Sequence, residues 1–271
     1  MKAIRVRAST STEYSAYSFD LPAIHRTGLP AQVSHLRQAE RDFPHGHFRW
    51  MEAGSLRTIT LSGGRFAGLA GQPGALLTFV ISGMLTIDPE PAEPFTLEAG
   101  DILFTESGSA AELPASASRS CHLIQISVPP GWPGEAPALS IPGTIIPRSG
   151  EVPNVKRLYT GRDGRSHFAG FPELFSGPPD RWTAPVRVKE FKFLCWEDGG
   201  RDWHPGDANQ LAIFLSGETL VEVGGDGGAM EIFRAGDVCL ADDCSGQGHV
   251  DRTLGAAYCA ILAVESDQSW R

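Results

Sequence analysis

The chain has 271 residues, 41% of them hydrophobic, with 31 glycines and 20 prolines; 23 Lys and Arg against 32 Asp and Glu give a formal charge of −9. That length suits one large domain or two ordinary ones, and the Gly and Pro content suits short strands joined by tight turns. The acidity excludes a basic surface for nucleic acid or anionic membrane, so neither is expected as a partner.

The N-terminal residues Met1-Lys2-Ala3-Ile4-Arg5-Val6-Arg7 hold no apolar core of signal-peptide length, and no stretch reaches membrane-spanning length. A reduced, cytoplasmic protein is expected. The five cysteines (Cys121, Cys195, Cys239, Cys244, Cys259) show no C-x-x-C spacing. Cys239 and Cys259 sit in apolar runs and read as small core residues, whereas Cys244 sits in a polar loop. Ser34 to Arg41 reads as a short helix, and His45-Gly46-His47 as a surface turn after Pro44.

Short apolar or alternating runs then predict strands over 56–61, 76–81, 84–88 and 121–128. The run Pro129-Pro130-Gly131-Trp132-Pro133, with more prolines up to Pro153, predicts an extended connector and a boundary near residue 150. A loop-rich stretch from Gly161 to Thr183, with a turn at Pro172 to Phe175, is expected to wrap the second barrel before its first main strand. Further strands are predicted over 186–193, 210–215, 220–223 and 256–264. Gly161-Arg162-Asp163-Gly164-Arg165 lacks the Gly-Lys-Ser/Thr ending of a phosphate loop, and Ser166-His167 lacks the surroundings of a hydrolase triad.

The order of these runs repeats. Phe79-Val80-Ile81-Ser82-Gly83 is followed 17 positions on by Gly100-Asp101; Ile213-Phe214-Leu215-Ser216-Gly217 is followed 19 positions on by Gly236-Asp237. Two copies of one all-β unit are expected, over residues 1–150 and 151–271. The copies differ in their polar residues, because histidines flank the motifs of the second copy alone.

His204, Gln210 and His249 are the main candidate constellation. His204 precedes the strand that Gln210 starts, and His249 follows the neighbouring one, so all three can face one barrel mouth. Two imidazoles and a carboxamide oxygen suit a divalent metal, with a carboxylate from Asp207, Asp242 or Asp243 completing the charge. Alternatively the same rings line a metal-free pocket and serve as hydrogen-bonding groups or as general acid and base. Trp203, adjoining His204, is expected to wall the pocket and bind the ligand with Gln210. His167 is expected to pack or cap a turn.

The segments Trp203-His204-Pro205-Gly206-Asp207-Ala208-Asn209-Gln210, Leu215-Ser216-Gly217, Gly236-Asp237-Val238-Cys239-Leu240 and Gly246-Gln247-Gly248-His249 resemble the motifs of the cupin superfamily, and their duplication resembles a bicupin. Residues 156 to 271 also resemble a narrower, often single-domain cupin group, through Tyr159-Thr160-Gly161, Ser166-His167-Phe168, Trp203-His204-Pro205 and Gly246-Gln247-Gly248-His249. The resemblance implies two cupin-type barrels (double-stranded β-helix, or jelly roll). The general pattern has a second histidine where Gly206 stands and a glutamate where Gln210 stands. The equivalent first-half positions, about Ala70, Leu76 and Leu113, offer no donors.

These features predict a small-molecule cupin. If it is an enzyme, it is a metal-dependent one of oxygenase, isomerase or lyase type. His204 and His249 would be catalytic, and one divalent ion (iron, zinc or manganese) would sit in the C-terminal barrel on His204, Gln210 and His249, with none in the N-terminal barrel. The alternatives are a non-catalytic binding or sensing bicupin and, more weakly, an interaction scaffold. The expected assembly is a monomer, as a pseudo-dimer of barrels, or a homodimer.

Overall fold

The computed structural model describes residues 3–8, 14–18, 23–26, 50–69, 74–88, 94–105, 113–129, 152–196, 199–225, 227–255 and 257–265. The helix expected at 34–41, the His45-Gly46-His47 turn, Ala70 and most of the proline-rich connector lie outside them. Regular structure is nearly all strand, with a single 3-10 turn at Pro172–Phe175 among the described residues.

The first half carries β1 (Ala3–Ala8), β2 (Tyr14–Ser18), β3 (Ala23–Arg26), β4 (Met51–Glu52), β5 (Ser55–Leu61), β6 (Gly64–Phe66), β7 (Ala75–Ser82), β8 (Met84–Ile87), β9 (Phe95–Glu98), β10 (Ile102–Thr105), β11 (Ala115–Ala117) and β12 (Cys121–Val128). The second carries β13 (Val155–Thr160), β14 (Ser166–Gly170), β15 (Val186–Trp196), β16 (Gly199–His204), β17 (Gln210–Ser216), β18 (Thr219–Val223), β19 (Met230–Phe233), β20 (Val238–Asp242), β21 (His249–Thr253) and β22 (Ala257–Val264).

The two halves repeat one pairing scheme. In the first, the large sheet runs β5-β12-β7-β10-β1-β2 and faces a small sheet β6-β11-β8-β9. In the second, β15-β22-β17-β20-β13-β14 faces β16-β21-β18-β19. Even the single parallel step recurs, β1 on β10 and β13 on β20. Each half is a flattened jelly-roll barrel whose two sheets meet by packing rather than by a continuous hydrogen-bonded ladder. The large sheets join edge to edge where β5 meets β15, so twelve barrel strands, with β3 and β4 on β15, form one 14-stranded sheet.

The repeated Gly-Asp has a local cause. Asp101 accepts a hydrogen bond from the Glu98 amide at 3.0 Å, and Asp237 accepts one from the Arg234 amide at 2.8 Å, closing the same turn before β10 and before β20. The preceding glycines, at φ 89° and 86°, lie where the halves touch: a Cβ on Gly100 would strike the Leu215 carbonyl, and one on Gly236 would strike the Ile81 carbonyl.

Strand alternation then divides the core in three. One face of each large sheet contributes to a shared cluster between the halves, including Phe79, Ile81 and Phe104 from the first with Phe191, Phe193 and Ile213 from the second. The other face of the first large sheet, with Val80, Leu103 and Leu123, fills its barrel together with Leu69 and Leu113 from the loops beside the small sheet. The second barrel holds a smaller cluster, including Phe214, Val221 and Phe233, and keeps a cavity beside it.

Segments before the first main strands are exchanged. β3 and β4 pair with β15 of the second half. Conversely, Asp180 and Thr183 donate backbone hydrogen bonds to the carbonyls of Thr60 and Thr58 on β5. The loop-rich stretch expected to wrap the second barrel therefore packs in part on the first. Its Trp182 ring lies 4.2 Å from the Arg57 guanidinium and donates to the Gly68 carbonyl.

Candidate functional site

The site forms where β16 and β21 run antiparallel with His204 directly opposite His249. A register shift between Arg201 and His204 lets the end of β16 turn toward the cavity. Gly248, at φ 76°, allows the close approach, since any Cβ there would collide with the His204 carbonyl. The imidazole centroids come to 4.4 Å.

Both rings are held by Nδ1. His249 donates to Asp243 Oδ2 at 2.8 Å, and Asp243 has 0% exposure. Ser166 Oγ donates to the same oxygen at 2.8 Å. His204 Nδ1 donates to the Asp202 carbonyl at 2.8 Å. Neither a carbonyl nor a carboxylate oxygen can donate, so each Nδ1 carries a proton, and in the neutral ring it is Nε2 that presents a lone pair.

The rings differ in proton affinity. Burial lowers the His204 pKa and outweighs the raising effect of Asp251. Burial also works against charge on His249, but the hydrogen bond and charge of Asp243 outweigh it and raise its pKa above the usual value.

Asp251 supplies the carboxylate. It lies two residues beyond His249 on β21 and so shares its face, and the Arg201 amide donates to its Oδ1 at 3.0 Å. Ligand atoms of His204, His249 and Asp251 all lie within 4.8 Å of one another. They line a cavity of about 110 Å3 that also meets Gln210, Asp207, Lys192 and Arg201. Its remaining wall is mostly apolar, with Leu194, Val221 and Ile261. Two neutral nitrogens and one anionic oxygen are a donor set suited to a divalent transition metal, so the residues fit such an ion.

His204, Gln210 and His249 thus reach one cavity. Asp207 lines it too, but the carboxylate grouped with the histidines is Asp251. Asp242 is held by Arg157 Nε at 3.0 Å, and Asp243 lies behind His249 rather than beside its Nε2. Trp203 does not line the cavity and is 39% exposed. The register shift between Arg201 and His204 is what brings His204 to the cavity while Trp203 stays outside it. Phe191 and Phe193 belong to the cluster between the halves; the Trp196 side chain lies outside the described set. His167 stacks on Tyr159 at 5.8 Å and donates to Asp163 at 3.0 Å, away from the cavity. Cys239 and Cys259 line the cavity, burial pushing the Cys239 thiol well above its usual pKa. Cys244 is exposed, donating to Asn209 Oδ1 at 3.4 Å.

Asp251, Lys192 and Arg201 escaped the sequence reading. The signal for Asp251 was His249-x-Asp251 on a strand, which puts both side chains on one face. By strand register, Leu113 holds the His249 place and Ala115 the Asp251 place in the first barrel, both buried.

No protein-family profile matches the chain, and no curated protein matches it by sequence. Among solved structures it is similar to a cupin 2 conserved barrel domain protein from Leptotrichia buccalis, at 13% identity over 78% of this chain and 84% of that one, with a TM-score of 0.38. A protein of unknown function from Pseudomonas syringae pv. tomato aligns at 12% identity over 78% and 83%, with a TM-score of 0.35. Bacillus subtilis oxalate decarboxylase aligns at 16% identity over 80% and 70%, with a TM-score of 0.29. Strand order and pairing, repeated in the two halves, define the fold.

Proposed function

We propose that the chain is a bicupin whose second barrel is a metal-dependent enzyme site for a small organic molecule. The observation that carries the reading is the meeting of His204, His249 and Asp251 in one cavity. Iron, zinc or manganese suits this donor set. A bound divalent ion would supply Lewis acidity to an oxygen of the substrate.

The chain's own groups do the rest. Asp243 fixes the His249 ring and Ser166 fixes Asp243, so Nε2 is aimed without reorganisation. Gln210 offers both a donor and an acceptor on the cavity wall. Leu194, Val221 and Ile261 exclude water and hold the apolar part of the substrate. The first barrel serves as a packing partner, its interior filled by leucines.

Metal analysis of the purified protein is the test. The expected result is about one equivalent of divalent metal per chain, lost in His204→Ala, His249→Ala and Asp251→Ala. Metal-free protein carrying an organic ligand would instead select the non-catalytic binding reading, which the largely apolar cavity wall also favours.

A further inference from the structure

The two barrels carry a cation at the same place on their inner faces. Arg57 on β5 pairs in register with Gln125, and Lys192 on β15 pairs with Ile261. The register on β7 and β17 matches Thr78 with Ala212 in the same way. In the first barrel, Gln125 Oε1 accepts from Arg57 Nε at 2.9 Å, and Gln125 Nε2 donates to Thr78 at 2.8 Å. Trp182 covers the guanidinium, and the side chains of Gln125 and Thr78 take up the space beside it. In the second barrel Trp50 likewise lies over the Lys192 ammonium, 4.0 Å from ring centroid to Nζ, while apolar Ile261 and Ala212, both lining the cavity, stand in place of Gln125 and Thr78.

Arg201 adds a second cation to the wall. Its Nη2 is buried and makes no hydrogen bond within the protein. A buried guanidinium N–H calls for an acceptor, and its planar fork matches a carboxylate. Around the cavity Lys192 and Arg201 balance Asp207 and Asp251, so a divalent ion on the His-His-Asp group would leave the wall positive.

We infer that the cavity binds a small organic carboxylate, its charged end held by Arg201 and Lys192 and its carbon chain lying against Leu194, Ala212 and Ile261. The inference rests on reading this cavity as the working site. The size limit follows from the volume of about 110 Å3, below the roughly 150 Å3 known to hold a benzene-sized molecule. A ligand no larger than benzene, with at most about six non-hydrogen atoms, suits such a space.

The test uses the full chain and three probes: butyrate, its neutral isostere butyramide, and inorganic phosphate, each titrated calorimetrically or by ligand-observed NMR. Butyrate is expected to bind at least about tenfold more tightly than butyramide, and phosphate more weakly than butyrate. Arg201→Gln and Lys192→Met are each expected to cut the butyrate preference to about threefold or less, with circular dichroism unchanged. Arg201→Gln retains a polar side chain on an intermediate-exposure strand position, so it remains informative if Lys192→Met fails to fold. Equal binding of butyrate and butyramide, tighter binding of phosphate, or a full preference surviving in Arg201→Gln overturns the inference. Metal content measured on the same preparations separates the two readings. Metal retained without a butyrate preference sinks the carboxylate site alone; a butyrate preference in protein that binds no metal sinks the metal reading alone.

Discussion

Asp243 shows how one side chain governs the site without reaching its centre. It is fully buried, accepts from both Ser166 and His249, and fixes which imidazole nitrogen faces the cavity. Asp243→Ala is expected to weaken metal binding about 10- to 100-fold, measured by competition with a chelator. Asp243→Asn keeps an acceptor for His249 Nδ1 and should recover much of that loss. Equal loss in both variants would argue for simple misfolding of the β20–β21 connection. The same neighbourhood marks what the sequence could disclose. His204 and His249 were legible because each flanks a repeated motif. Asp251 was harder, since Asp207, Asp242 and Asp243 lie beside the motif strands, whereas the carboxylate grouped with the histidines lies within β21. Trp203 adjoins His204 in sequence, but β16 is irregular between Arg201 and His204, and of the two neighbours His204 alone lines the cavity.

At the scale of elements, the exchanged segments set what each barrel mouth meets. The stretch before β15 is pinned to β5 by Asp180, which has φ 58° and accepts from the backbone amide and hydroxyl of Ser62. Those two hydrogen bonds lower the Asp180 pKa from its ordinary 3.8. A carboxyl depressed in the folded state adds stability above its unfolded pKa and loses it as pH falls through the folded value. Hydrogen exchange of the Ser62 amide is therefore expected to rise below about pH 4 in the wild type. Asp180→Asn should show little of this acid dependence, and Asp180→Ala should exchange fast at neutral pH as well. An unchanged acid profile in Asp180→Asn would show that other carboxylates hold the segment. The exchange left no readable mark, because turn residues such as Gly177-Pro178-Pro179-Asp180 declare a turn and not its neighbour. Lys192 was hidden similarly. In Lys189-Glu190-Phe191-Lys192-Phe193 alternation suggests a strand with a solvated charged face, but Phe191 and Phe193 are buried between the halves and Lys192, 1% exposed, turns inward.

Over the whole molecule, duplication was legible and its consequence less so. All eight residues of β7 are buried, the pattern of a strand covered on both faces. One cover is the interior of its own barrel and the other is the opposite half, a partition set by pairing between distant segments. The largest apolar cluster therefore belongs to neither half alone. Phe79 and Phe193 face each other across it with centroids 6.3 Å apart. Phe193→Ala should cost about 3–5 kcal/mol, the usual range for a buried phenylalanine, through lost transfer energy and the cavity left behind. The informative readout is where that cost appears. Because the cluster joins both large sheets, hydrogen-exchange protection should fall in parallel on β7 and β12 of the first half and on β17 and β22 of the second. Thermal unfolding should keep a single transition, shifted downward by several degrees. Loss of protection confined to β17 and β22, or a thermal trace splitting in two, would mean that the halves fold independently and that their shared cluster is incidental to stability. A parallel fall would make the first barrel part of the scaffold that holds His204 and His249 together, although its own interior is closed by leucines.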